Sequence, residues 1–291
     1  MIFRLRAFAL HLLASATVLT LVLGSLYLGW YRWPGWYLAD AGSVAFVLVA
    51  VDVTVGPLLT LVIAHPKKPR RELARDITII ASLQLCALLY GAVSLWVGRP
   101  LYYAFSENVL QLVQASDIGG HEIALAERQH APILPHWYSR PRWIWAPLPA
   151  DPKESQKIIS SVFNGGDDVI SMPRYYQPWA NGLPALRKQL KRVLEVAYFS
   201  PRQKQQLAQA MRAQGLNADE ANAIVLTGRG PPLLAVIDPR SLKIEHFLRP
   251  QQQSVGSIAP ASVQRLLRSW AKHARVVHQN KPHDHSTQAR G

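Results

Sequence analysis

Residues 41–64 read AGSVAFVLVAVDVTVGPLLTLVIA, a run in which Asp52 carries the single formal charge. A helix of that length rises about 36 Å at 1.5 Å per residue, and the hydrocarbon core of a bilayer is about 30 Å thick. Apolar runs of about 10 to 14 residues are more typical of helices buried in globular proteins. The stretch therefore predicts a membrane-spanning helix.

Two further runs flank this stretch, because residues 8–30 and 77–97 contain no Lys, Arg, Asp or Glu. The sequence thus predicts three membrane helices, at about 8–30, 41–64 and 77–97, within a transmembrane region of residues 1–98. The first run is longer than the apolar core of a signal peptide, and bulky aromatic residues follow it instead of a small-residue cleavage site. We expect it to remain attached as an anchor.

The composition agrees with a membrane protein. Of the 291 residues, 49% are hydrophobic and 17% are charged, against roughly 25% charged residues in an ordinary soluble domain. The net charge is +14, but 9 Trp and 10 Tyr argue against a disordered basic chain. A single cysteine, Cys86, excludes an intramolecular disulfide framework and a thiolate metal cluster.

The distribution of Lys and Arg predicts the orientation, because positive charge in short loops resists translocation. Arg4 and Arg6 precede the first helix, and the stretch 65–76 before the third helix is rich in Lys and Arg, whereas the opposite side carries Arg32 and Arg99. The expected N-terminus is cytoplasmic. Three spans then place the remainder in the periplasm, so the chain is predicted to be a multi-pass protein of the bacterial inner membrane.

Together with the three membrane helices, the rest of the sequence predicts an α+β membrane protein. We expect a periplasmic domain at residues 99–257 and a basic amphipathic helix and disordered tail at 258–291. The periplasmic domain is expected to hold a short sheet and amphipathic helices. Apolar or alternating segments predict strands at Leu101–Phe105, Val109–Val113, Ala223–Leu226, Leu233–Asp238 and Leu242–Leu248. Helix signals predict helices at Asp151–Phe163, with a cap at Asp151 and a capping-box Glu154, at Leu183–Tyr198, from Pro201 to Gly215, and at Ala261–Arg275.

Asp52 is the sharpest single feature, because a carboxyl at the bilayer centre costs about 2.5 to 3.5 kcal/mol on insertion scales and usually faces protein or water. Thr20 in the first helix and Tyr90 in the third lie at a similar depth, so their hydroxyls are its expected partners. Gly56 and Pro57 indicate a kink or a close helix approach beside it. Three roles stay open: packing of the three helices, contact with another membrane helix, and a proton relay, which lacks a second intramembrane acid.

Motifs for catalysis or metal binding are weak or missing. The chain has no Gly-x-Ser-x-Gly, no phosphate-binding Gly-rich loop and no His-Glu-x-x-His. Asp167 and Asp168 follow Gly165-Gly166, which is first of all turn chemistry, and the histidines after residue 270 are expected in a solvated tail. We therefore expect no catalytic, cofactor-binding or metal-binding residue.

Two stretches interleave cations with aromatic rings and form the candidate partner surface. The residues are Arg140, Arg142, Trp143, Trp145, Arg174, Tyr175 and Tyr176. The pattern fits Arg and aromatic residues stacked on a folded surface, a surface for a protein partner, or a platform for single-stranded nucleic acid. A periplasmic location argues against nucleic acid unless DNA is being taken up. The basic excess also suits an acidic partner or the membrane surface.

Several stretches together resemble the TfpX/TfpZ family of type IV pilin accessory proteins. They are VDVTVGPLLTLV at 51–62, PKKPRRELARD at 66–76, Ile79-Ile80, Gln84-Leu85, Ala87-Leu88, Tyr90-Gly91, Arg99-Pro100, Gly165-Gly166-Asp167 and Pro173-Arg-Tyr-Tyr176. The resemblance is continuous from His11 to about Ile118 and patchier to about Pro250. Residues beyond Ser257 fall outside it.

The resemblance implies an inner-membrane protein without enzymatic activity that assists type IV pilus assembly. Its implied partners are a particular major pilin, the pilus assembly machinery and the membrane, and no nucleic acid. Three helices could receive the apolar N-terminal helix of a membrane-stored pilin, while the periplasmic domain meets the head of that pilin. Two alternatives stay open: a membrane-anchored periplasmic enzyme acting on a lipid-linked or cell-wall substrate, and a DNA-uptake factor.

Overall fold

The computed structural model describes residues 2–107, 109–192, 201–213 and 221–249. Three helices in it are long and apolar enough to cross a membrane: α1 (Ile2–Tyr31), α2 (Ala41–Ile63) and α3 (Arg70–Val97). The prediction of three long apolar helices in this part of the chain is confirmed. Helix α3 begins seven residues before its apolar run, directly after Pro69, because Pro disfavours helical backbone in the residue before it but not in those after it.

The three membrane helices contact one another through narrow stripes of buried side chains. The buried residues of α3 are Ile80, Gln84, Leu88, Gly91 and Leu95. Their spacing of three or four residues keeps them on one face of the helix. The opposite faces carry exposed large apolar side chains such as Leu83 and Val93 of α3 and Phe46 of α2, which is the surface a bilayer covers.

In the described part of the chain, eight strands follow the helices and form one sheet. They are β1 (Pro100–Ser106), β2 (Val109–Gln114), β3 (Arg142–Trp145), β4 (Gln177–Pro178), β5 (Lys191–Arg192), β6 (Asn222–Thr227), β7 (Leu233–Ile237) and β8 (Ile244–Leu248). Their order is β4-β3-β1-β2-β6-β7-β8, and β5 also pairs with β6. The β1–β3 and β2–β6 pairs are parallel and the others antiparallel. The α+β fold class is confirmed.

Among the described residues, four α-helices accompany the sheet: α4 (Gly120–Arg128), α5 (Pro152–Phe163), α6 (Trp179–Gln189) and α7 (Pro201–Ala213). Side chains alternate between the two sides of a strand, and both sides of this sheet are covered. On one side, Phe105 and Leu226 share a hydrophobic cluster with Leu26 of α1 and Leu95 of α3. On the other, Ala104 and Val113 lie in a cluster against which Ile123 of α4 packs. The hydrophobic core thus continues from the membrane bundle into the sheet.

The structure corrects two local predictions. Asp151 caps α5 as expected, accepting from the Lys153 amide at 3.1 Å, but Glu154 accepts a hydrogen bond from the Tyr175 hydroxyl instead of completing a capping box. The helix expected at Leu183–Tyr198 begins at Trp179 and ends at Gln189, because β5 pairs with β6 directly afterwards. Residues 193–200, Gly215 and the predicted basic helix and tail at 258–291 lie outside the described residues.

Candidate functional site

A polar cluster joins the three membrane helices inside the apolar bundle. We call His11, Asp52, Thr60 and Gln84 the intramembrane polar cluster. The His11 ring of α1 lies 2.6 Å from the Thr60 hydroxyl through Nδ1 and 2.7 Å from Gln84 Oε1 through Nε2. Gln84 Nε2 of α3 donates to the main-chain carbonyl of Asp52 at 3.0 Å. Every helix of the bundle therefore contributes to one hydrogen-bonded chain.

The side-chain amide of Gln84 determines which ring nitrogen of His11 donates a hydrogen bond. Because Gln84 uses its amide nitrogen on Asp52, its Oε1 faces His11 and can only accept. His11 Nε2 is then the donor, and a neutral ring accepts at Nδ1 from the Thr60 hydroxyl. Both ring nitrogens of His11 thus have hydrogen-bond partners inside the apolar bundle.

The Asp52 carbonyl is available to Gln84 because α2 changes its hydrogen-bond register there. Residues Ala50–Val55 form a π-helical turn, and the Gly56 amide donates to Val51 instead of Asp52. The next residue, Pro57, has no amide hydrogen. The Asp52 carbonyl therefore loses the donors of both the α and the π register, and Gln84 replaces them.

Gly56 makes that replacement sterically feasible. A Cβ atom at position 56 would lie 2.1 Å from Gln84 Nε2. The side chain of Gln84 thus occupies the space that any other residue's Cβ would take. The close helix approach expected at Gly56 is what the structure shows, and its occupant is a polar side chain of the neighbouring helix.

The structure places Asp52 inside the bundle but away from its expected partners. Asp52 is 4% exposed, and its carboxylate oxygens have no hydrogen-bond partner among the described residues. Thr20 is exposed and Tyr90 is 79% exposed, so both hydroxyls lie on the outer surface of the bundle. The expected pairing of Asp52 with these two residues is wrong, since equal depth does not fix the helix face.

His11, Thr60 and Gln84 were not identified from the sequence, because single residues of these types also occur in apolar runs without any special role. One signal could have identified Gln84. It lies four residues after Ile80 and four before Leu88, on a stripe that helical periodicity selects as buried. A buried amide in a membrane helix needs a partner, which points to the other helices.

The loop between α1 and α2 connects the bundle to the sheet. We call residues 32–40 the junction loop; it contains a helical turn at Gly35–Leu38. The Gly230 amide, between β6 and β7, donates to the Leu38 carbonyl at 2.7 Å. At the ends of the helices, the Tyr31 hydroxyl donates to the Leu95 carbonyl at 2.6 Å. The bond from Gly230 holds the β6–β7 turn against the junction loop, and the bond from Tyr31 joins the ends of α1 and α3.

Gly230 is required at this junction by close backbone approach. A Cβ atom there would lie 2.1 Å from the Tyr37 carbonyl oxygen. A main-chain atom cannot rotate away as a side-chain end can. The junction loop and the β6–β7 turn can therefore meet this closely with glycine at position 230.

In the second half of the predicted partner surface, Tyr176 belongs to the core, and Arg174 and Tyr175 are half-buried. Tyr176 is fully buried, its ring packs edge-on against Tyr102 at 5.1 Å, and burial raises the pKa of its hydroxyl well above the ordinary value. Arg174 Nη1 donates to Glu122 Oε2 at 2.6 Å, and both side chains are largely buried. The expectation that Arg174, Tyr175 and Tyr176 form an open surface is wrong for Tyr176, and Arg174 already has a carboxylate partner.

In the first half of the predicted partner surface, the tryptophans pack on the sheet and the arginines are exposed to solvent. Trp143 and Trp145 alternate with Ile144 on β3 and are half-buried against the sheet's cluster. Trp143 stacks on Tyr103 at 4.5 Å between ring centroids. Arg140 and Arg142 are exposed, so these two remain available to a partner.

Asp167 and Asp168 lie directly after a turn of the chain. Gly165 has a φ of 78°, the left-handed conformation that favours glycine, so the chain turns there. Asp168 Oδ1 then accepts from the Val169 amide at 2.6 Å. No group of three His, Cys, Asp or Glu suited to a metal ion occurs among the described residues. The histidines of the tail lie outside that part of the chain.

Among the proteins similar to this chain are three from Dichelobacter nodosus. Fimbrial assembly protein, serogroup I, is 25% identical over 242 residues, which cover 81% of this chain and 91% of the relative. The serogroup E1 protein is 24% identical over 241 residues with the same coverage. The protein of serogroups C1 and C2 is 29% identical over 117 residues, 40% of this chain and 89% of that relative. No protein-family model matches the chain, and no solved structure does.

These relatives are named as assembly proteins and not as enzymes. The similarity supports the fimbrial-assembly part of the resemblance seen in the sequence. Membership of the TfpX/TfpZ branch stays a prediction.

Proposed function

We propose that this chain assists the assembly of type IV pili from the bacterial inner membrane by binding or stabilising its cognate pilin. The observation that carries the proposal is the length of the similarity to proteins named for fimbrial assembly. Residues 99–291 number 291 − 98 = 193, fewer than the 242 residues aligned with the serogroup I protein. The similarity therefore includes part of the membrane region as well as part of the sheet domain.

The arrangement of the chain suits a partner that has an apolar helix and a folded head. The bundle exposes large apolar side chains such as Leu10, Phe46 and Leu83 on its outer faces. The sheet is packed on the end of the same bundle through one continuous hydrophobic cluster. A pilin held in the membrane would contact the apolar faces with its helix, while its head lies beside the sheet.

Deleting the gene and scoring surface pili is the first test. We expect fewer pili and less twitching while the cell still makes pilin, and restoration by the wild-type gene. Normal piliation in the deletion strain, with no paralogue present, would refute the proposal.

A photo-crosslinking residue can identify the surface that contacts the pilin. We would introduce it at Phe46, Leu83 and Phe163, which are all exposed, with Arg71 at the opposite end of the bundle as the control. The proposal expects pilin crosslinks from at least one exposed apolar position and none from Arg71. Products that contain glycan or lipid-linked sugar instead of pilin would favour the enzyme alternative.

The proposed orientation places the N-terminus in the cytoplasm and the sheet domain in the periplasm. It rests on the basic residues around Lys68, at the end of the bundle remote from the sheet. Reporters that are active only outside the cytoplasm should work when fused near Tyr103 and fail when fused near Lys68. The reverse pattern would invert the topology.

A further inference from the structure

An open groove lies where α1 leaves its apolar segment and meets the sheet. Its volume is about 390 Å³. Leu28 and Trp30 of α1 line one side, and Trp143 and Phe247 of the sheet line another. We call it the interfacial groove. It lies across the junction between the membrane helices and the sheet domain.

The charged residues that line the interfacial groove are Arg32 and Arg140. Both are exposed, and no acidic residue lines the groove in the described part of the chain. The ion pairs formed by described residues involve Lys68, Arg75, Arg174 and Arg229 instead. Two guanidinium groups thus face an aromatic groove without a carboxylate partner among these residues.

A third arginine adds positive charge next to the groove. The Arg249 guanidinium lies 4.8 Å from the ring centroid of Trp33, which lines the groove, and 4.6 Å from that of Tyr37. Arginine over aromatic faces is held in place by cation–π attraction while its N–H groups stay available. The local field at the groove is therefore positive.

Exposed apolar and aromatic side chains surround the groove at the end of α1. Leu28 is 57% exposed at the end of α1. The neighbouring loop carries Trp137, 71% exposed, and Tyr138, also exposed, and the Trp30 indole donates to the Ser139 carbonyl of that loop at 2.7 Å. Exposed Trp and Tyr beside the end of an apolar helix are typical of the membrane–water interface.

We propose that the interfacial groove binds the headgroup of an anionic phospholipid, with its phosphate between Arg32 and Arg140. Guanidinium groups bind phosphate oxygens through paired N–H donors. The glycerol and the first acyl carbons lie along Leu28 and Trp30. A wholly polar acidic segment of a protein would match the charge, but it would leave the exposed apolar side chain of Leu28 uncovered, whereas the acyl chain of a lipid covers it.

Native mass spectrometry of the full chain in detergent tests this, with phosphatidylglycerol as the probe. The double variant Arg32→Gln, Arg140→Gln removes both guanidinium groups. The matched control Arg128→Gln, Arg202→Gln removes the same charge from exposed positions on α4 and α7. We expect the groove variant to retain phosphatidylglycerol at least about tenfold more weakly, since one hydrogen bond to a charged group already contributes about that factor, and the control to match wild type.

Two competitors test whether the groove binds a lipid, a free phosphate ester or an acidic protein segment. Free glycerol phosphate and a synthetic acidic peptide are added as competitors at the same concentration as the lipid. The proposal expects neither to displace it. Equal retention by the groove variant and wild type, equal loss in the control, or displacement by either competitor would overturn it. The variant Arg32→Lys, Arg140→Lys keeps the charge, and its intermediate retention separates guanidinium recognition from a folding defect.

Discussion

Gln84 donates a hydrogen bond from Nε2 to the main-chain carbonyl of Asp52 at 3.0 Å, while its Oε1 faces His11 Nε2 at 2.7 Å. The amide thus connects α3 to both other membrane helices. The contact uses the backbone of Asp52, whose carboxylate oxygens have no partner among the described residues. Helix packing therefore depends on the register change at Asp52 and on Gln84 more than on the acidic group.

Replacing Gln84 by Leu should weaken the bundle. The substitution removes the hydrogen bonds to Asp52 and His11 and leaves the Asp52 carbonyl unpaired. We expect the free energy of unfolding to fall by about 0.6 to 2 kcal/mol, the range for polar contacts between membrane helices. Denaturation in mixed micelles, followed by tryptophan fluorescence, measures it. Tyr90→Phe is the matched control, because its hydroxyl is on the outer surface; an equal loss in both variants would contradict this account.

Asp52→Leu should leave the stability unchanged or raise it. The variant keeps the main-chain carbonyl that Gln84 uses, and it removes a buried polar group, whose burial without a hydrogen bond is costly. Protein abundance and the free energy of unfolding are the measurements, alongside Asp52→Asn. A clear loss of stability in the Leu variant would show that the carboxyl has a structural partner. Loss of pili at normal abundance in both variants would instead assign the carboxyl a functional role.

Gly230→Ala should loosen the sheet from the bundle. The added Cβ meets the Tyr37 carbonyl oxygen, so the junction loop or the β6–β7 turn must shift. We expect a loss of about 1 to 3 kcal/mol, as for overpacking elsewhere. Thermal unfolding in detergent measures it. Gly120→Ala on α4 is the control, because nothing lies within 4 Å of its Cβ position; the same melting temperature for both variants would refute the tight junction.

Arg174→Gln should destabilise the sheet domain more than Arg229→Gln does. Arg174 pairs with Glu122 where both side chains are largely buried, whereas the pair of Arg229 with Asp117 is much more exposed. Removing one partner of a buried pair leaves an uncompensated charge and costs about 3 kcal/mol, while exposed pairs contribute about 0 to 1 kcal/mol. Urea unfolding of both variants in detergent tests the ranking, and a reversed order would contradict it.

The sequence by itself determined the membrane helices, most of the strands and the cap of α5. These depend on local properties: the length of an apolar run, the alternation in β2, and a side chain such as Asp151 that reaches its own helix's amides. Each can be evaluated within a window of a few to about 24 residues. The capping-box prediction failed at Glu154 because its partner, Tyr175, lies 21 residues away.

The tertiary structure decided which side chains meet. Neighbouring residues on a helix point about 100° apart, so Leu19 is buried and Thr20 exposed at nearly the same depth, and depth alone paired Asp52 with the wrong hydroxyls. Likewise, Tyr176 is in the core because Tyr102 of β1 lies against it, a contact between residues far apart in the chain. Such contacts depend on how the elements rotate and stack, which is set by packing over the whole chain and not by any local pattern.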